Sequence, residues 1–531
     1  MESVLSTFHN LIFQFSQSHP NLVAAIGTAA VTYGFLWALL HSTQDAREPP
    51  LLLGAIPFIS PVIGMVKWSM DFYVQLKDEN PNSSIYTLRL PGFRLYIVNS
   101  TALILEVQRK WRTFVFSPVP ARASEYAMGG SKEAMDIIRA GMSTDADFMH
   151  GFNKAIHPAL SSGPALENLT GRALEVIAES LDDMVKQGGK EVKMFDWIRH
   201  DLLMATTDSV YGRGNPLRDP QNEKAWQKFH PSIMFLLLNV LPQWVFRDAI
   251  KARGVLAKAF LHYHAEGQYK EGSVYIRRWT EYCVSHGIPV DDIAKFHNAG
   301  LFALIANTIP TAFWMIFRVF SDPSVVSDCR DEISRSVEER DGVCTINVGR
   351  IKADCPTLVS TFQEVFRVHG LANSVRVATE DHYLDNGKYL IKKGGLVMMP
   401  ARVQHHLRDV WGNNVDEFDH RRFINKEGDP QPNAAAFRGF GGGTTLCPGR
   451  HFATTEILVL TAMLLLRFDL VPLSGRWVLP STKNSSQAEA MEQPDYDIDI
   501  QLRPRSGAEK KWRVSFAGAG DTALVAEDLR G

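Results

Sequence analysis

Very little in this chain of 531 residues points to a partner held by charge. Lys and Arg number 56 against 58 Asp and Glu, a formal net charge of −2. No basic excess is there to bind nucleic acid. Cysteine is scarce, with five residues at Cys283, Cys329, Cys344, Cys355 and Cys447. The odd count and irregular spacing exclude a disulfide framework and a Cys-x-x-Cys zinc site, and they suit a reducing compartment. There is no P-loop, no Gly-x-Gly-x-x-Gly after a strand, and no flavin or iron–sulfur module. Any electrons the chemistry needs come from another protein. No linker or repeat follows residue 60. With 45% hydrophobic residues, the chain reads as one large domain behind an anchor.

Charge is also missing from Leu22 to Leu40, LVAAIGTAAVTYGFLWALL. Nineteen helical residues at ~1.5 Å each span roughly the ~30 Å bilayer core. A signal peptide is the competing reading, but no basic region precedes the stretch and no small-x-small cleavage site follows it. The first 20 residues hold no Lys or Arg, whereas Arg47 and Lys67 follow the span. That asymmetry predicts a single-pass anchor with the following domain in the cytosol. Pro49, Pro50, Pro57 and Pro61 then interrupt an apolar segment, which reads as a semi-rigid neck or as a loop packed on the domain.

Ile85 to Leu90 and Leu95 to Val98 flank Pro91-Gly92 and predict a β-hairpin. Helical patterns follow as far as residue 370, among them Asn168 to Val185, Met194 to Tyr211 and Arg247 to Tyr263. The apolar, aromatic stretch 229–247 reads as a core helix. A long apolar helix is expected from about Val290 to Ser321. Pro310 lacks an amide hydrogen, so the carbonyl of Ala306 loses its helix partner and the helix should open there. The polar pair Asn307-Thr308 must find partners. This is either a tolerated kink or a groove able to hold water.

Glu364 and Arg367 stand three apart in TFQEVFRVHG and share a helix face. Arg376 lies in SVRVATEDHYL, which alternates like a strand. Near the end comes FRGFGGGTTLCPGRHFA, residues 437–453, with Cys447 between a glycine-rich run and an apolar helical run from His451 to about Leu466. Glycines let a backbone approach a flat ligand closely, and a thiolate at a helix N-terminus is stabilised by the dipole.

The spacing Phe440-x-x-Gly443-x-x-x-Cys447-x-Gly449, followed by Arg450, resembles the heme-binding loop of the cytochrome P450 family. The resemblance covers about residues 50–515, with its motifs in order, and implies a mainly α fold with a smaller β region. It implies heme b as cofactor, Cys447 as the axial thiolate of iron, and Phe440, Gly441, Thr445, Gly449 and Arg450 around the heme. A thiolate ligand favours O–O cleavage. Arg376 matches a position that serves a propionate. Thr445 stands where the family usually has His or Arg, so Arg376 carries more of that task. The family also takes a Trp and an Arg from an earlier helix. His150, Lys154 and His157 occur there with no Trp, and that contact stays unassigned. Glu364, Arg367 and Arg422, the last in VDEFDHRRF, match the family's structural network.

The long helix matches the one that crosses the oxygen-binding face, where Ala306, Asn307 and Thr308 become the catalytic candidates. Ala306 replaces the usual acid and Asn307 the usual Thr. The segment ANTIP followed by FW is similar to the steroid 7α-hydroxylase branch, related to prostacyclin synthase. Substrate-pocket candidates by position are Ala303, Leu304 and Ala306, Leu371 to Ser374, and the loop near Met491, and the resemblance places 229–247 where helices cover the substrate pocket and touch the membrane.

Together these imply five segments: 1–21 non-cytosolic, 22–40 transmembrane, 41–65 neck, 66–515 heme-thiolate domain, 516–531 tail. The expected activity is monooxygenation of an apolar, terpenoid or steroid-like molecule with O₂. Electrons come from NADPH-cytochrome reductase at the endoplasmic reticulum membrane, and Arg421, Arg422, Arg438 and Arg450, where exposed, meet that partner. Redox-neutral isomerisation or dehydration of an oxygenated lipid, and a heme sensor without turnover, are the alternatives.

Overall fold

The structure, a computed structural model, describes residues 19–142, 144–239, 241–424 and 435–516. Residues 1–18 and 517–531, and with them most of the expected N-terminal segment and tail, lie outside that set. Among the described residues, two helical stretches are long and apolar enough to cross a membrane. The first, Pro20–Thr43, has 0% of its apolar window buried; the second stretch, Val290–Phe320, is 78% buried. The same composition therefore serves opposite ends: the second is core, and the first offers its apolar surface outward.

The segment after the first helix is tied to the sheet. Arg89 Nη1 and Arg94 Nη2 donate to the Thr43 carbonyl at 3.2 and 2.8 Å. These bonds satisfy a carbonyl that the helix end leaves open. Thr87 donates its amide to Pro50 and its hydroxyl to Pro49, both at 2.8 Å, and Leu52 donates to Thr87 at 3.1 Å. The prolines, which bring no amide hydrogen, act here as acceptors.

The main sheet has five strands in the order Ile85–Leu90, Phe93–Val98, Leu396–Pro400, Asn373–Ala378, Phe114–Val115. The first two form the hairpin, with Leu90 opposite Phe93 and Gly92 at φ +76° in the turn. Leu396–Pro400 runs parallel to Phe93–Val98 and antiparallel to Asn373–Ala378, so chain from the C-terminal half fills a sheet begun in the N-terminal half. Helices supply the rest of the core, Thr308–Phe320 and Arg450–Arg467 being almost entirely buried and Met194–Tyr211 mostly so.

One expectation needs correction. The stretch 229–247 is not a core helix. Between the helices that end at Phe229 and begin at Arg247, Ile233–Leu238 is the one α-helix among the described residues, flanked by short 3₁₀ turns at His230–Ser232 and Gln243–Phe246. Pro231 and Pro242 interrupt the pattern, and Phe235, Leu241 and Trp244 are 51, 47 and 75% exposed. The helix from Val290 opens as expected where Pro310 leaves the Ala306 carbonyl without a partner, giving Val290–Ile305 and Thr308–Phe320 with the break at Ala306 and Asn307.

Candidate functional site

Three elements meet behind the Cys447 loop. Helix Pro356–His369 presents Glu364 and Arg367, both fully buried. Arg367 Nε and Nη2 grip the Glu364 carboxylate through two 2.7 Å bonds. Arg422 Nε reaches the same carboxylate at 3.0 Å, as does the amide of Asp419. The remaining donors bind carbonyls at the ends of the short helices Ala401–His405 and Arg408–Trp411 and in the turn after them: Arg367 Nη1 binds those of His405 and Val415, and Arg422 Nη1 that of Trp411. Carbonyls that two short helices and a turn leave open are thereby satisfied by two arginines.

The same helix carries the loop on another face. The Phe440 ring sits 4.6 Å from Phe366, and a Cβ on Gly439 would come within 3.0 Å of that ring. Gly441 and Gly443 adopt φ +84° and +60°, where a side chain would strain the backbone. The amide of Cys447 closes the loop on the Phe440 carbonyl at 3.0 Å. Gly449 caps helix Arg450–Arg467. Burial pushes the Cys447 thiol up, while the amides of Gly449 and Arg450 and the Arg450 guanidinium pull it down. The sulfur thus faces donors at a helix start, the setting in which a thiolate binds metal. Arg450 Nη1 also donates to the Cys447 carbonyl at 3.3 Å.

Beside the loop lie two buried guanidinium groups. Arg376 is 3% exposed, donates to the Thr445 hydroxyl, and has no carboxylate partner among the described residues. Burial, followed by repulsion from Arg438, lowers it to about 10. Arg438 is 2% exposed, and its Nη2 donates to Ser374 Oγ at 3.1 Å. Arg376, a buried guanidinium without a carboxylate and pressed against a like charge, calls for an anion. A thiolate-presenting glycine loop next to two buried cations fits a heme: sulfur for iron, guanidiniums for propionates.

Arg438 was expected, if exposed, at a partner surface. Its burial rules that out, as does the 9% exposure of the Arg422 side chain. Arg421 is the exposed one, and it is already paired with Asp328. Nothing in the linear sequence distinguishes Arg438 from a loop cation. His150, Lys154 and His157 are exposed on helix Phe148–Leu160, and His150 stacks on Trp111 at 5.4 Å.

At the helix break the three catalytic candidates have different environments. The Thr308 hydroxyl donates back to Leu304 at 3.0 Å. Asn307 Oδ1 accepts from the Ala490 amide at 2.8 Å, and its carbonyl accepts from the Thr311 hydroxyl. The Ala306 carbonyl faces Pro310, which has no hydrogen to give. The loop at 490 in turn bonds to Leu371, and Met491 bridges Gly370. The pocket candidates on the long helix, after helix Pro356–His369 and near Met491 are therefore neighbours.

A second buried network holds that loop, and the sequence reading missed it. His369 Nδ1 binds Glu492 Oε2 at 2.8 Å, its Nε2 accepts from Arg318 at 3.1 Å, and its ring stacks on Trp314 at 4.0 Å. Trp314 Nε1 donates to the Glu492 carbonyl at 2.8 Å.

Comparison with known proteins agrees with this geometry. The profile of the family described as Cytochrome P450 matches residues 54–499. The chain is 30% identical over 506 residues to a Cytochrome P450 monooxygenase nodJ of Hypoxylon pulicicidum, covering 92% of this chain and 96% of that one. It is 22% identical over 516 residues to Cytochrome P450 7A1 of Rattus norvegicus, covering 90% and 98%. The same identity holds over 513 residues with a Cholesterol 7-alpha-monooxygenase of Cricetulus griseus, again covering 90% and 98%. The chain belongs to the cytochrome P450 family, whose heme-thiolate monooxygenases it resembles along most of its length.

Proposed function

We propose that this chain is a membrane-anchored monooxygenase that inserts one oxygen atom of O₂ into an apolar, sterol- or terpenoid-like molecule. The carrying observation is the Cys447 loop, whose Thr445 hydroxyl accepts from the buried Arg376 with Arg438 beside it. Bound there, heme b would supply oxygen activation, with Cys447 as its iron ligand. The chain's own residues do the rest. Arg376, Arg438 and Thr445 would neutralise and orient the propionates. Phe440, Gly441, Gly449 and Arg450 shape the loop that holds the sulfur in place. The Glu364–Arg367–Arg422 network stiffens the support behind it.

At the helix break, the Ala306 carbonyl and Asn307 Nδ2 remain for a water molecule, Asn307 Oδ1 being occupied. Such a water would replace the usual acid in passing protons. Thr308 keeps only its acceptor lone pairs for this purpose, since its hydrogen is donated to Leu304. The sterol-like class rests on the relatives named for cholesterol 7-alpha and P450 7A1 activity, and on the apolar residues around the break.

The outward apolar helix Pro20–Thr43 supports a single-pass anchor in the endoplasmic reticulum membrane with the domain on the cytosolic side. Exposed Trp244, Phe235, Val66 and Ile63 supply further apolar surface for its interface. Electrons would then come from NADPH-cytochrome reductase in the same membrane.

The test is the reduced, carbon monoxide-treated spectrum of the full chain. A thiolate-shifted Soret band that disappears in Cys447→Ala is expected. An unshifted band in the unaltered protein, or a shifted band that survives the substitution, refutes the ligand. Product formation without NADPH, reductase or O₂ would replace monooxygenation by isomerisation.

A further inference from the structure

One buried carboxylate near the helix break is not used by anything above. Glu489 is 6% exposed and directly precedes Ala490, whose amide binds Asn307. His230 lies across from it, at the turn after helix Pro220–Phe229. Its Nε2 is 3.2 Å from Glu489 Oε1. The approach is off the line of a hydrogen bond, and neither His230 Nε2 nor Glu489 Oε2 has a hydrogen-bond partner among the described residues. The imidazole is held in place by rings: it stacks on Trp226 at 5.1 Å and lies against Phe302 at 5.7 Å. Phe302 sits on the helix that breaks at Ala306 and Asn307. Three elements that surround the break thus converge on two unsatisfied polar atoms.

An ion pair kept only for stability would align its donor and satisfy the second oxygen, as Glu364 and Arg367 do. Here an acceptor and a ring nitrogen stand side by side with their hydrogen bonds unmade, which is costly in a buried site unless a ligand completes them. We propose that Glu489 and His230 recognise a hydroxyl group on an otherwise apolar substrate. This rests on the monooxygenase reading above. The hydroxyl hydrogen is donated to Glu489 Oε2, and its oxygen accepts from His230 in the tautomer that carries the proton on Nε2. A ketone or ether only accepts and would leave Oε2 bare. An ammonium only donates and would leave Nε2 bare. The alcohol alone among these matches both atoms.

The experiment uses the heme-loaded full chain in detergent and follows the Soret change on titration with two matched pairs. These are cholesterol with cholest-5-ene, and farnesol with farnesene. In the unaltered protein at least one alcohol should bind about tenfold or more tightly than its hydrocarbon partner, as a hydrogen bond to a charged group gives. In Glu489→Leu and in His230→Phe the preference should fall to within about threefold, with the thiolate-shifted carbon monoxide band retained. Glu489→Gln, which keeps an acceptor oxygen, should recover part of it. Equal affinities within both pairs, no binding of any of the four, or a preference that persists in both apolar variants overturns the inference while leaving the heme reading intact. Absence of the shifted band in the unaltered protein overturns both.

Discussion

Asn307 Oδ1 accepts a 2.8 Å hydrogen bond from the amide of Ala490, 183 residues further along the chain. This bond links the opened turn of the long helix to the loop that carries Glu489, Met491 and Glu492. Removing the acceptor in Asn307→Ala should cost about 1 kcal/mol locally. The expected result is faster amide hydrogen exchange at residues 490–492, with global melting little changed. Asn307→Asp retains an acceptor and should restore protection.

The Glu364–Arg367 pair has a much larger effect. Arg367→Ala leaves a fully buried carboxylate with only Arg422 and the Asp419 amide, and strips carbonyls of His405 and Val415. A loss of about 3–5 kcal/mol follows from a broken buried pair. Arg367→Lys should be nearly as damaging, because an ammonium cannot supply the same fork of donors. Thermal melting and the yield of heme-loaded protein measure both.

Arg376 should show opposite signs in the two states of the protein. In the heme-free chain its burial and its repulsion by Arg438 are unfavourable. Arg376→Leu is therefore expected to melt no lower than the unaltered heme-free protein, yet to release heme severalfold faster to apomyoglobin. A variant that melts lower in both states would make Arg376 a purely structural residue.

Glu456, on helix Arg450–Arg467, sets a pH dependence. Its carboxyl is fully buried, burial pushes it up to about 8, and one bond from Thr206 at 2.9 Å opposes this. The folded state holds a proton that the unfolded chain releases near 4.5. The contribution is complete below that pH and is lost as pH rises through about 8. Glu456→Gln should flatten this decline, raising the melting temperature by a few degrees at pH 9 and changing little at pH 5. An unchanged slope between those values would contradict the buried, protonated state.

Legibility in the sequence followed how local each cause was. The Cys447 loop was readable because glycines, a cysteine and a helix start occupy consecutive positions. So was the break before Pro310, because the missing hydrogen belongs to the residue itself. The pairing of Glu364 with Arg367 follows from helical spacing, although spacing alone gave no hint of its burial. Arg438 could not be read: its neighbours, Ser374 and Arg376, come from a strand more than sixty positions earlier. The core reading of 229–247 failed, while the reading that the resemblance implied stayed open, because apolar composition does not say whether an apolar face meets a core or the outside.

By itself, then, the sequence determined the chemistry on offer: one thiolate in a loop of permissive glycines, an opened helix, and an uncharged span long enough for a bilayer. Only the tertiary structure decided who stands beside whom. It put Arg438 with Arg376, Ala490 on Asn307, and Glu489 opposite His230. Those contacts depend on burial and on hydrogen bonds between distant segments, and neither is written in any local run of residues.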